Sequence, residues 1–159
     1  MADKILVVGG SKLVDTINLP YTLTSHELLH FDELENDISK DSIPDLPVEI
    51  EEPFAGILNK TLPVICGGEQ NSQISSNCYI IDGANNTNKI EEKNHGLLTG
   101  RTSGASVVLR DAGNDTSEFL WITGGHPIAI NGWTTEFVRL DQPTESGPDL
   151  PKGPNHLLH

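Results

Sequence analysis

The chain has 159 residues, and its 23 Asp and Glu against 10 Lys and Arg give a formal net charge of -13 at pH 7. This charge repels phosphate backbones and anionic lipid surfaces, so nucleic acid and membranes are not expected partners. The length suits one domain, while 15 glycines and 5% aromatic residues favour turn-rich β structure over helices. No apolar stretch approaches the roughly 20 residues of a membrane helix, and no signal peptide is recognisable, so we expect a soluble chain.

The first predicted element is an apolar run, residues 5–10, that ends in a glycine pair. Two later runs, 62–68 and 119–125, end in the same way, and the pairs lie 58 and 57 positions apart. A repeat of this length indicates an array of similar supersecondary units that bury their apolar faces by stacking. Paired glycines permit close backbone approach or a positive φ, so we predict a structural role for Gly9, Gly10, Gly67, Gly68, Gly124 and Gly125.

A second kind of run follows each glycine pair after a polar loop, alternates in hydropathy and ends in Asp, at residues 26–32, 77–82 and 135–141. The alternation predicts strands that are antiparallel to the glycine-pair strands. A less regular stretch comes next, and a run of small residues then leads towards the next glycine-pair strand, at residues 54–59, 103–109 and 155–159. Four short strands in each unit, repeated radially, are typical of a propeller blade.

The order of these elements resembles the kelch repeat, in which a small-residue strand, a strand ending in Gly-Gly, a strand ending in Asp and a fourth strand follow one another. The resemblance covers nearly the whole chain in three copies. The family's Arg, with a small residue or His a few positions later, is matched by Arg101 with Ala105 and more loosely by Lys152 with His156.

The resemblance implies an all-β fold, a kelch-type β-propeller, in which residues 1–159 form a single domain of three four-stranded blades. One family mark is missing, the tryptophan that usually begins the fourth strand, because Trp121 lies in a glycine-pair strand and Trp133 in a loop. We therefore expect a divergent kelch protein, either extracellular or engineered.

Three blades do not close a ring, since kelch propellers usually have about six. An unpaired strand edge invites association, so we expect the C-terminal strand 155–159 to pair with the N-terminal strand 4–10 of a second chain. Two chains joined head to tail at both seams would form a homodimer with six blades. The alternative is a fragment whose remaining blades lie elsewhere in a longer protein.

Only two cysteines occur, Cys66 and Cys78, too few for a cysteine-based metal cluster within one chain. They lie symmetrically about the loop that joins their strands, so an antiparallel hairpin places them opposite each other within disulfide range. We predict a disulfide, with two buried free thiols in a reducing compartment as the alternative. Together with glycosylation sequons at Asn59, Asn85 and Asn114, the disulfide favours a secreted or extracellular parent protein, although localisation is otherwise open.

Candidates for catalysis or metal binding are sparse. His156 and His159 are three apart on a predicted strand and face opposite sides, while His26 and His30, four apart, have a poor zinc spacing. The enzyme that the kelch resemblance suggests is galactose oxidase, which needs copper held by tyrosines and histidines. This chain has only 2 tyrosines, so that activity is not expected. We therefore expect a protein that is not an enzyme, with no catalytic residues, no metal and no cofactor.

Binding is the remaining function. In kelch-like blades the loops between the second and third strands share one face with the loops that enter the inner strands. Exposed Tyr, Trp, Arg and His in such loops suit a protein or peptide ligand, and the predicted binding residues are Tyr21, Arg101, His126, Asn131 and Trp133. One alternative is carbohydrate binding, lectin-like or by a decayed oxidase, with Tyr21 and Trp133 stacking on sugars. Another is a self-assembling building block without a ligand.

Overall fold

The computed structural model describes residues 3–8, 11–13, 20–22, 26–32, 37–41, 46–82, 89–92, 95–111, 114–127 and 133–151. Every regular element in this part of the chain is a β-strand, and the strands form several antiparallel sheets. The predicted all-β class is therefore confirmed. Among the described residues there is no helix with the length and apolar character needed to cross a membrane.

The first sheet has three strands in the order β1-β4-β5. Its strands are β1 (Asp3–Val8), β4 (His26–Asp32) and β5 (Asp37–Asp41), and a small hairpin of β2 (Ser11–Leu13) and β3 (Pro20–Thr22) separates β1 from β4. Within the described residues β1 pairs with β4 alone.

The second sheet has four strands in chain order, so it is a meander. Its strands are β6 (Phe54–Leu58), β7 (Leu62–Cys66), β10 (Cys78–Asp82) and β11 (Lys89–Glu92). A two-stranded hairpin of β8 (Glu69–Gln70) and β9 (Gln73–Ile74) extends from the connection between β7 and β10. The turn from β6 to β7 is closed by the Thr61 N–H, which donates to the Leu58 carbonyl at 3.2 Å, and it has positive φ at both central residues, Asn59 and Lys60, as a type I′ turn requires.

The third sheet repeats this meander with β12 (Ala105–Asp111), β13 (Asn114–Thr123), β14 (Thr135–Val138) and β15 (Glu145–Ser146). The predicted inner run 103–109 is shifted by two residues, because Ser103 and Gly104 still belong to the connection. The packing around residue 104 explains why it is a glycine, since an added Cβ would lie 2.7 Å from Phe54 Cε1.

The register is the same in all three sheets. The residue before each glycine pair is opposite the first residue of the next long strand, as Val8 is to His26, Cys66 to Cys78 and Thr123 to Thr135. The predicted disulfide between Cys66 and Cys78 is confirmed, with 4.1 Å between the two Cα atoms. The repeat inferred from the glycine pairs is thus a repeat of strand pairing.

The core lies on both faces of the second sheet. One cluster fills the space between the second and third sheets and contains Phe54, Leu58, Val64, Leu120 and Ile122, with Cys66, Cys78, Leu97 and Val138. The other cluster covers the opposite face with Leu46, Ile50, Ile65, Tyr79 and Ile81. The second and third sheets approach closely at Gly56, where an added Cβ would lie 2.7 Å from Leu120 Cδ1 and from Val108 Cγ2.

Candidate functional site

The glycine pairs form the joints at one end of the sheets. Gly67, Gly68, Gly124 and Gly125 all have positive φ, between 65° and 101°, a region that favours glycine. The Gly68 N–H donates to the carbonyl of Arg101 at 2.9 Å, and a Cβ added to Gly67 would lie 2.5 Å from the same oxygen. This geometry favours a structural role for these four residues, whereas Gly9 and Gly10 lie outside the described residues.

Connections into the inner strands meet the glycine-pair loops at this end. Glu51 and Glu69 exchange two backbone hydrogen bonds of 3.0 and 2.8 Å, and Thr102 and His126 exchange two of 3.2 and 2.7 Å. The Thr102 hydroxyl also donates to the Glu52 carbonyl at 3.0 Å, and the Ser103 hydroxyl donates to the Glu52 carboxylate. We call this end the glycine-pair face, formed by residues 46–53, 67–77, 95–104, 124–127 and 133–134.

Arg101 lies beneath this face, not on it. Its side chain is 1% exposed, and its guanidinium donates to Glu136 Oε1 at 2.5 Å. It also donates to the carbonyls of Gly124 and Thr134 at 3.1 and 3.2 Å and to the Thr134 hydroxyl at 3.0 Å. The expectation of an exposed binding residue is therefore corrected. Arg101 joins the two glycine-pair regions through its own carbonyl and side chain.

The other predicted binding residues have different positions. His126 is exposed on the glycine-pair face, and a cis peptide bond follows it, before Pro127. Trp133 is half-buried, and its carbonyl accepts a hydrogen bond from the Leu150 N–H at 2.6 Å. Tyr21 lies in β3 opposite Lys12, and Asn131 lies outside the described residues. Among Arg101, His126 and Trp133, whose burial the structure describes, His126 is the exposed residue.

The sequence analysis missed Leu98, which is 58% exposed. Its N–H donates to Glu136 Oε2 at 2.7 Å, and the Leu97 N–H donates to the Ser76 carbonyl at 2.7 Å. Leu97 is buried in the core cluster, so the backbone that anchors it presents the next leucine to solvent. The sequence signal was a pair of consecutive leucines in an irregular segment, where no periodicity shows which of the two faces the core.

The described residues contain no group of three or more His, Cys, Asp or Glu that could hold a metal ion. A cavity of about 100 Å³ lies at the opposite end of the sheets, where Asn59, Glu118 and Arg139 contribute to its lining. Ligand pockets usually measure about 300–1,000 Å³, so this cavity is too small for a typical ligand. The glycine-pair face, which is an open surface, is the better candidate site.

No family model matches the sequence, and no curated protein matches it. Among solved structures the fold is similar to one titled "Structure of YjhT", with a TM-score of 0.65 at 10% sequence identity. The similarity covers 96% of this chain and 51% of that chain. The chain therefore shares its fold with that protein and spans about half its length.

Proposed function

We propose that this chain is a kelch-type β-propeller scaffold without enzymatic activity, whose glycine-pair face binds a protein or a peptide. The observation that carries the proposal is the joining of the second and third sheets at one end, where the Gly68 N–H donates to the Arg101 carbonyl and the Thr102 hydroxyl donates to the Glu52 carbonyl. These hydrogen bonds hold loops of the second and third sheets together in one surface. Loops on a rigid scaffold are where binding residues concentrate.

The chemistry of this face suits a peptide or protein more than a small molecule. Leu98 is an exposed apolar side chain on a backbone fixed by hydrogen bonds, His126 is exposed where its backbone pairs with Thr102, and Trp133 is half-buried. An apolar or aromatic anchor surrounded by polar backbone is the usual composition of an interaction hot spot.

In this proposal each sheet is a blade, and two copies of the chain complete a ring of six. The second and third sheets have four strands, but the first has three in the described part of the chain, where the place beside β1 is open. Strand 155–159 of a second copy would fill that place by pairing with residues 4–10. The similarity to a protein of about twice the length supports this doubling, and a longer parent chain carrying the other blades is the alternative.

A peptide selection tests the binding function. Purified protein would be used to select peptides from a displayed random library, and the affinity of the best peptide would be measured by calorimetry. We expect His126→Ala and Leu98→Ser to weaken binding about tenfold or more, as for hot-spot residues. Asp141→Ala is the matched control, because Asp141 is exposed near the opposite end of the third sheet.

Equal affinities for the three variants, or no selected peptide, would contradict the proposal. Binding on a glycan array without peptide binding would replace it by the carbohydrate function. Assembly without either kind of ligand would favour a building block.

A further inference from the structure

The outer face of the third sheet is apolar and, among the described residues, partly exposed. We define it by Val107, Leu109, Phe119, Trp121 and Phe137, which the strand register brings side by side across β12, β13 and β14. The opposite face of the same sheet, with Leu120, Ile122 and Val138, is packed in the core against the second sheet. The third sheet thus has apolar residues on both faces, but in the described part of the chain another sheet packs on only one of them.

Equivalent positions of the second sheet show what such a face does when it is covered. Because Phe54 is opposite Cys66 and Ala105 is opposite Thr123, each β6 position corresponds to the β12 position 51 residues later. Leu58 therefore corresponds to Leu109. Leu58 is fully buried by the third sheet, whereas Leu109 is 37% exposed and Val107 is 46% exposed.

The aromatic residues of the outer face form an ordered surface. The rings of Phe119 and Phe137 meet edge to face with 5.0 Å between centroids, and the Arg139 guanidinium lies 4.7 Å from the Phe119 centroid. Two of the three exposed large hydrophobic side chains in the described residues, Val107 and Leu109, lie on this face. Neighbouring apolar side chains that remain exposed in this way are typical of an interaction site.

We infer that the outer face of the third sheet packs against the first sheet of a second copy of this chain. The inference rests on the proposed propeller and deepens it, because it names the partner and the surface. Within the chain, β1 contacts β6 and β6 contacts β12 and β13, so the sheets stack in chain order and the first sheet lies at the other end. The similar structure contains about as much chain again as this one covers.

Register also predicts which residues meet across the new interface. Gly56 of the second sheet approaches Leu120 of the third, as the 2.7 Å between its added Cβ and Leu120 Cδ1 shows. Val107 occupies in the third sheet the position that Gly56 occupies in the second. Ile5 occupies in the first sheet the position that Leu120 occupies in the third, because each lies four positions before its glycine pair. Val107 of one copy is therefore expected opposite Ile5 of the other.

Cysteine cross-linking tests this pairing in the full chain. The double variant Val107→Cys, Ile5→Cys should form a covalent dimer on mild oxidation, visible on a non-reducing gel and lost on reduction. The control is Ser106→Cys, Ile5→Cys, because the Ser106 hydroxyl donates to the Ala55 carbonyl and so faces the second sheet. A covalent dimer in most chains of the first variant and few of the control is expected, and equal yields would overturn the inference.

A second variant guards against misfolding of the cysteine pairs. Leu109→Asp adds a charge at a position that is already partly exposed, so the chain should fold and its dimer should dissociate at protein concentrations where the wild type is dimeric. An unchanged dimer would contradict the chosen face. Peptide binding by the glycine-pair face is measured separately. Cross-linking without peptide binding would contradict the proposed function alone, and peptide binding without cross-linking would contradict this inference alone.

Discussion

Leu58 in the second sheet and Leu109 in the third are the same residue at the same place in the repeat, but their surroundings differ. Leu58 has a sheet packed on it and is fully buried, while Leu109 has none among the described residues and is 37% exposed. Residue type and strand register therefore do not decide burial in this fold. Burial at this position depends on whether another sheet packs on it. The second sheet has such a neighbour, and the outer face of the third sheet has none among the described residues.

A similar contrast exists between two ion pairs. The side chains of Arg101 and Glu136 are 1% and 2% exposed, with 2.5 Å between the guanidinium and Glu136 Oε1. This pair links the connection that precedes the third sheet to the buried side of β14. Arg110 and Glu118 are 3.1 Å apart on the rim, where Arg110 is 54% exposed. The first pair is part of the packing between sheets, and the second is a surface contact.

The largest effect is expected from breaking the buried pair. Glu136→Gln leaves the Arg101 charge buried without a carboxylate, and the free energy of unfolding should fall by about 3–5 kcal/mol. Urea denaturation would measure it. The control Arg110→Gln removes the exposed partner of the other pair and should cost about 0–1 kcal/mol, since ion pairs at exposed side chains contribute little. Similar losses in the two variants would refute the contrast between the pairs.

The next effect separates the two equivalent leucines. Leu58→Ala removes a side chain from the core between sheets and should cost about 2–5 kcal/mol. Leu109→Ala, measured on dilute monomer, should cost under about 1 kcal/mol, as for most surface positions. A loss of several kcal/mol at Leu109 in the monomer would mean that this face is already covered within one chain.

The disulfide gives a smaller effect. Replacing Cys66 and Cys78 by Ala removes a bond across 12 residues and should lower the free energy of unfolding by about 2–4 kcal/mol. Thr123 and Thr135 reach the same register in the third sheet without a covalent bond, so we expect the fold to survive. Thermal unfolding with and without a reducing agent would check this, and wild type and variant should coincide when reduced.

The smallest effect is at the turn between β6 and β7. Lys60 has a φ of 64°, so Lys60→Gly should relieve strain and stabilise the chain by about 0.5–1 kcal/mol. Thr61→Gly is the control, because Thr61 has no positive φ and should lose stability by about the same amount. A stabilising effect at Thr61, or none at Lys60, would contradict this account of the turn.

The sequence predicted the features that depend on local spacing. The disulfide between Cys66 and Cys78 could be predicted because a single hairpin brings the two residues together. The repeat could be predicted because the glycine pairs end equivalent strands. Arg101 was misplaced on the surface, since its partner Glu136 follows 35 positions later in another strand. Leu58 and Leu109 have the same pattern around them, so no local rule could show that one is covered and the other is not.

The mass of the protein in solution tests the central claim, that the outer face of the third sheet is covered by a second copy. Light scattering on the wild type at micromolar concentration should give about 34 kDa, twice the 17.2 kDa of one chain. Leu109→Asp should give the mass of one folded chain. A wild-type mass of 17.2 kDa at every concentration, or a variant that stays at twice that mass, would contradict the account.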